Sequence, residues 1–175
     1  KAQANANAVV SSNRSASNLE FSIASQEVVA GNEVRVNVTS DNFNEVYGYQ
    51  FTMNTSGLEL VSVESGSIEM TASLIGKLSN DVTTMSWSDV HGMTVSNDEV
   101  LFTLVFNATN TGNVSQMMNL TSQVTSSEAY LTSALEVSNV TLVTRGADKA
   151  TYELFQNEPN PFADLTVVGF ELPEA

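Results

Sequence analysis

Polar and apolar residues alternate without a break in Glu33-Val-Arg-Val-Asn-Val-Thr39, the signature of a strand with one face buried and one wetted. The same period of two runs through Tyr47, Tyr49, Phe51 and Met53, in an apolar stretch that opens at Val46. Leu58-Glu-Leu-Val-Ser-Val-Glu64 follows the turn signal Thr55-Ser-Gly57, and residues 82–87, 100–106, 120–125 and 135–143 continue the series. Gly31-Asn32, Ser65-Gly66, His91-Gly92, Asn97-Asp98 and Thr111-Gly112 supply turn chemistry between the runs. No segment holds a period of 3.6, and residues 70–78 and 126–131 suggest at most a turn or a short helix. Strands recurring at this spacing predict an all-β protein, an antiparallel β-sandwich over residues 18–146.

The two ends read differently. Residues 1–17 are rich in Ala, Asn and Ser, with Val9-Val10 as their apolar pair, which predicts a linker or an arm. Residues 147–175 form a third segment, in which a strand-like piece at residues 152–155 precedes Pro159-Asn160-Pro161. Proline steers the residue before it away from helix, so this triplet punctuates the chain. Leu165, Val167 and the stretch from Phe170 to Leu172 then suggest a second strand.

Composition narrows the function. A chain of 175 residues with 42% hydrophobic content can fold as one domain, or as one domain and a fragment. Twenty acidic residues against six basic ones give a formal net charge of −14, so no basic patch exists to hold a phosphate backbone or an anionic membrane surface. The acidity serves solubility and self-repulsion, with a calcium-rich extracellular setting as the sharper alternative. The absence of cysteine excludes disulfides, thiolate zinc sites, iron–sulfur clusters and a cysteine nucleophile. No apolar run reaches the roughly 18 residues of a membrane helix. The chain opens at Lys1 with no signal-peptide core, so an export signal is expected upstream or already removed.

Candidate chemistry is sparse. His91, the one histidine, could be matched with Asp89 and a serine, but no Gly-x-Ser-x-Gly elbow is present, and His91 is expected in a turn. Glu59, Glu64 and Glu69 show no pairing suited to glycoside hydrolysis. No catalytic residue and no cofactor is assigned, and the chain is not expected to be an enzyme. Asp89, Asp98 and Glu99 flank the His91-Gly92 segment and are the calcium candidates, since hard cations need several oxygen ligands; solvated loop carboxylates are the plainer reading. Trp87, with Tyr47 and Tyr49, could form a platform for a sugar ring, although period two puts Met85 and Trp87 on one face and favours a core role. Asn13, Asn37, Asn54, Asn107, Asn113, Asn119 and Asn139 stand in Asn-x-Ser/Thr sequons, which a chain this rich in Asn, Ser and Thr produces by chance.

Two resemblances sharpen the picture. Gly31-Asn-Glu-Val34-Arg-Val36-Asn-Val38, then Val46-Tyr-Gly-Tyr-Gln-Phe-Thr-Met53, then Leu58-Glu-Leu-Val-Ser-Val-Glu-Ser-Gly66 follow one another as in the cohesin-like domain. Met85-Ser-Trp-Ser-Asp89, Gly92 and Leu101-Phe-Thr-Leu-Val-Phe106 complete that order. The resemblance implies a jelly-roll β-sandwich that works by protein binding. Where a cohesin commonly has a Tyr-Asp-Pro turn, this chain has Asn54-Thr-Ser-Gly57. The tail, through Tyr152, Leu154, Gln156, Asn157, Pro159, Asn160, Pro161 and Phe162, resembles the opening of the C-terminal sorting domain of proteins exported by the type IX secretion system of Bacteroidetes. It implies an extracellular or cell-surface destination and an encounter with the secretion machinery. Three functions follow as expectations: a non-catalytic adhesion or scaffold module, a surface-fibre subunit that self-associates into filaments by strand addition from a terminal segment, or a carbohydrate-binding module of an exported enzyme.

Overall fold

The computed structural model describes residues 18–146 and the backbone of two short strands beyond them. The strands are β1 (Leu19–Ala24), β2 (Glu27–Val28), β3 (Glu33–Thr39), β4 (Val46–Thr55), β5 (Leu58–Ser65), β6 (Ile75–Lys77), β7 (Val82–Met93), β8 (Phe102–Ala108), β9 (Gly112–Asn113), β10 (Met118–Thr121), β11 (Glu128–Leu131) and β12 (Glu136–Arg145). A 3-10 turn, Ala72–Leu74, precedes β6, and a single helical turn, α1 (Val114–Met117), precedes β10.

The strands hydrogen-bond along one path, β5-β8-β3-β1-β12-β11-β4-β7-β6, with β10 also on β4. That path curls into a sandwich because β12 serves two sheets. Residues 136–139 of β12 pair antiparallel with β11, whereas residues 140–145 run parallel to β1, from Leu19 opposite Val140 to Ala24 opposite Arg145. The first sheet is therefore β5-β8-β3-β1-β12, and the second is β12-β11-β4-β7-β6. The fold is the expected all-β sandwich, and β1 with β12 is the parallel pair among otherwise antiparallel described pairings.

Alternation becomes burial directly. In β3 the residues Val34, Val36 and Val38 are buried and Glu33, Arg35 and Asn37 exposed. In β7, Thr83, Met85 and Trp87 face the core while Ser86 and Ser88 stay outside. An aromatic seam joins the sheets: Phe21 of β1 meets Tyr49 edge-on at 5.1 Å and Phe102 at 6.0 Å, and Tyr49 stacks on Phe51 at 5.9 Å. Each such pair adds about 1 kcal/mol beyond the area it buries.

Two local expectations need correction. Residues 128–131 are a strand, because Ala129 packs inward between β4 and β12 and the pairing on both sides overrides a weak local signal. Within residues 70–78 the allowed turn does form, as the 3-10 turn Ala72–Leu74, and β6 follows it directly. His91 and Gly92 form no turn between strands. Val46 faces Met93 and Gly48 faces Ser88, so residues 89–92 of β7 stand against Tyr47 alone and make a bulge within the strand. Gly92 takes φ of 73° there, a conformation that glycine reaches without strain. The helical turn α1 rests on Asn113, whose side chain accepts a hydrogen bond from the Ser115 backbone N–H at 2.9 Å.

By internal packing the chain divides into Lys1–Arg145 and Gly146–Ala175. In the second unit β13 (Glu153–Leu154) pairs antiparallel with β14 (Phe170–Glu171), with Leu154 opposite Phe170. The arm at residues 1–17 and the sorting residues Tyr152, Gln156, Asn157, Pro159, Asn160, Pro161 and Phe162 lie outside the described residues. Among the described residues, no helix is long and apolar enough to cross a membrane.

Candidate partner-docking face

The outer surfaces of the two sheets carry opposite chemistry. On the first, Arg35 of β3 pairs with Glu33 at 3.5 Å and with Glu64 of β5. Arg145 at the end of β12 pairs with Glu20 at 3.7 Å and with Asp41. The hydrogen bond to Glu64 pushes the Arg35 pKa up, and the hydrogen bond to Asp41 does the same for Arg145. Both guanidinium groups are therefore committed to carboxylates of their own chain.

The second sheet is different. Tyr49, Phe51 and Met53 of β4 point into the core, so Gly48, Gln50, Thr52 and Asn54 form its outward row. Register extends the row across the sheet: Tyr130, Gly48 and Ser88 stand side by side on β11, β4 and β7, as do Glu128, Gln50 and Ser86. Farther along, Thr52 lies between Thr84 and Thr121, and Asn54 between Val82 and Asn119. Glu128 is the one charged residue among these positions. A face of hydroxyls, amides and glycine in a chain of net charge −14 is a local departure from the average surface.

At its centre is a hollow of about 350 Å³, bordered by Tyr47, Leu74, Tyr130 and Leu135, with Ser86 and Ser88 beside the floor. It exists because Gly48 places no side chain between Tyr130 and Ser88. A Cβ at Gly48 would sit 3.0 Å from the Trp87 carbonyl oxygen. Beyond Gln50 the sheet is overlaid by residues 122–127. The hydroxyl of Thr52, fully buried, donates to the Thr125 carbonyl at 3.1 Å and accepts from the backbone N–H groups of Val124 at 3.2 Å and Thr125 at 2.9 Å. Asn54 adds a side-chain bond to Gln123 at 3.2 Å. This loop is a fixed rim of the face.

The cohesin domain family matches residues 19–149. The chain belongs to the cohesin family. Among solved structures it is similar to the sixth cohesin of scaffoldin B from Acetivibrio cellulolyticus, in complex with a Cel5 dockerin mutant, with a TM-score of 0.56 and 18% identity over 73% of this chain and 95% of that one. It is also similar to the third cohesin of ScaC from Acetivibrio cellulolyticus, in complex with the ScaB dockerin, with a TM-score of 0.50 and 22% identity over 71% and 93% of the two chains. The seventh ScaB type I cohesin of Pseudobacteroides cellulosolvens gives 0.51 and 15% identity over 73% and 87%. At these identities the likeness concerns the fold. No curated protein matches the chain. Cohesin domains are non-catalytic protein–protein scaffold modules.

Within this cohesin the candidate residues read from sequence fall in different places. Trp87 is 8% exposed, stacked on Tyr49 at 5.6 Å and tilted against Phe43 at 5.9 Å. Tyr49, 1% exposed, is inside with it. Tyr47 is then the one ring of the three left near the surface, so these three rings build no flat sugar platform. Asp89, Asp98 and Glu99 do not converge. The Asp89 carboxylate accepts the His91 backbone N–H at 2.8 Å, and Glu99 accepts from the Ser67 hydroxyl at 3.0 Å. Among the described residues no group of three or more His, Cys, Asp or Glu side chains gathers as a metal site would require. Glu59 pairs with Lys77 at 3.0 Å and Glu64 with Arg35, each remote in role from Glu69. The hollow itself was not visible in the sequence. Its one signal was that Gly48, Gln50, Thr52, Ser86 and Ser88, flanking apolar positions, are all uncharged.

Proposed function

We propose that this cohesin is a non-catalytic docking module of an exported cell-surface protein, and that its partner seats on the uncharged face of the second sheet. The charge distribution carries the proposal. Interface centres are depleted of charged residues, because each ion taken out of water costs several kcal/mol unless it is paired. The face around Gly48 meets that condition, whereas the first sheet's outer face is crossed by ion pairs of its own. The two Acetivibrio cohesins are each solved with a dockerin, and a small domain of that kind is the partner class proposed here. Export rests on the tail: the segment from Tyr152 to Phe162 resembles a type IX sorting signal, so the module works outside the cell as an adhesion or scaffold element.

A photo-crosslinking amino acid placed at Ser86, and separately at Asn37 on the opposite face, tests the docking surface on the full chain. Incubated with surface proteins of the producing cells, the Ser86 probe is expected to capture a discrete partner and the Asn37 probe none. Capture from Asn37 alone would refute the proposal.

A further inference from the structure

Resting on that docking reading, we infer that the partner anchors itself with a basic side chain, arginine or lysine, seated in the hollow over Gly48. Three observations combine. The walls are apolar and aromatic: Leu74, Tyr47, Tyr130 and Leu135, the last 54% exposed with nothing packed over it among the described residues. They suit the aliphatic stem of a long side chain, and the tyrosine rings suit its cation. Ser86 and Ser88 offer hydroxyl acceptors beside the glycine floor.

Carboxylates supply the second observation. Glu128 stands cross-strand from Gln50, which lines the hollow. Glu69 and Asp89 line an adjoining hollow of about 460 Å³ that shares Leu74, Trp87 and Ser88 with the first. No ion pair engages Glu69, Asp89 or Glu128 among the described residues.

The third observation is where the cations are. Arg35 and Arg145 are held on the first sheet's outer face, and Lys77 turns to Glu59 and the Leu60 carbonyl of β5. Among the described residues no Lys or Arg is left to neutralise the rim. An acidic partner would meet like charge there, and an apolar one would strip water from carboxylates without pairing them. A guanidinium or ammonium group satisfies hydroxyls, rings and carboxylates together.

The test titrates the ¹⁵N-labelled full chain with acetyl-Leu-Arg-Leu-amide, acetyl-Leu-Gln-Leu-amide and acetyl-Leu-Glu-Leu-amide, and follows backbone amide shifts. The arginine peptide is expected to move Gly48, Ser86, Ser88 and Tyr130, binding about fivefold or more tighter than the glutamine peptide. The glutamate peptide is expected to give no saturable shift. Salt at about 0.5 M should remove the arginine advantage, since these carboxylates are at the surface. The double variant Glu128→Gln, Asp89→Asn should cut the advantage below about twofold while glutamine-peptide binding is kept. Equal affinity for all three peptides at these amides would overturn the basic anchor and leave the docking face standing. Shifts confined to β3 and β8, or none at these amides, would overturn the anchor as well, and the cross-linking result then judges the face separately.

Discussion

Replacing Thr52 by valine preserves the β-branched shape and deletes a single hydroxyl, the one that fastens residues 122–127 to β4. Three hydrogen bonds go with it, one donated to the Thr125 carbonyl and two accepted from Val124 and Thr125. A net value of about 1 kcal/mol for each would total about 3 kcal/mol. Val124 is 51% exposed, however, so its N–H can turn to water after a small lift of the loop. The Thr125 groups are half-buried and bear most of the loss. The expected cost is therefore about 2 kcal/mol. Urea unfolding followed by fluorescence of Trp87, the single tryptophan, should show a lower midpoint at unchanged slope. Hydrogen exchange at Val124 and Thr125 should accelerate beyond the global change, while Thr52→Ser, which keeps the hydroxyl, should hold both amides protected. A Thr52→Val unfolding free energy within about 0.5 kcal/mol of the parent, with loop exchange unaltered, would refute the clamp.

Three further outcomes are expected. Gly66→Ala should destabilise by about 2–3 kcal/mol in the same urea assay, because its Cβ would fall 2.3 Å from the Val100 carbonyl oxygen and 2.7 Å from that of Leu101, both backbone atoms that cannot swing aside. Burial pushes the Tyr49 phenol above its ordinary value of 10.0, so the folded state favours the neutral form; its contribution is intact below about pH 10 and is lost as pH rises beyond that. Midpoints measured at pH 8 and about pH 11 should accordingly fall less for Tyr49→Phe than for the parent, and equal falls would exclude this cause. If the tail is the proposed sorting signal, deleting residues 159–162 from the intact polypeptide should abolish its appearance outside the cell, as judged by surface proteolysis, whereas unchanged secretion would remove the sorting role.

Long, regular strands could be seen in the sequence because local pattern and tertiary burial agree there, as at Val34, Val36 and Val38 or at Met85 and Trp87. Residues 128–131 were too short to display a period, and their strand exists through partners on both sides. The parallel pairing of β1 with β12 joins residues more than a hundred positions apart, which no local pattern announces. Turn chemistry at His91-Gly92 was real but was spent on a bulge against Tyr47. The docking face needed register most of all. Gly48 has meaning as the floor of a hollow once Tyr130 and Ser88 are known to flank it, and uncharged positions look ordinary until the ion pairs of the opposite face are in view.

The most direct test of the account is hydrogen exchange read peptide by peptide on the full chain, free and saturated with the partner captured through Ser86. Slowed exchange should be confined to β4, β7 and β11 and to residues 122–127, with β3, β5 and β8 unchanged. Protection concentrated on β3, β5 and β8 instead would contradict the assignment of the uncharged sheet as the surface that binds.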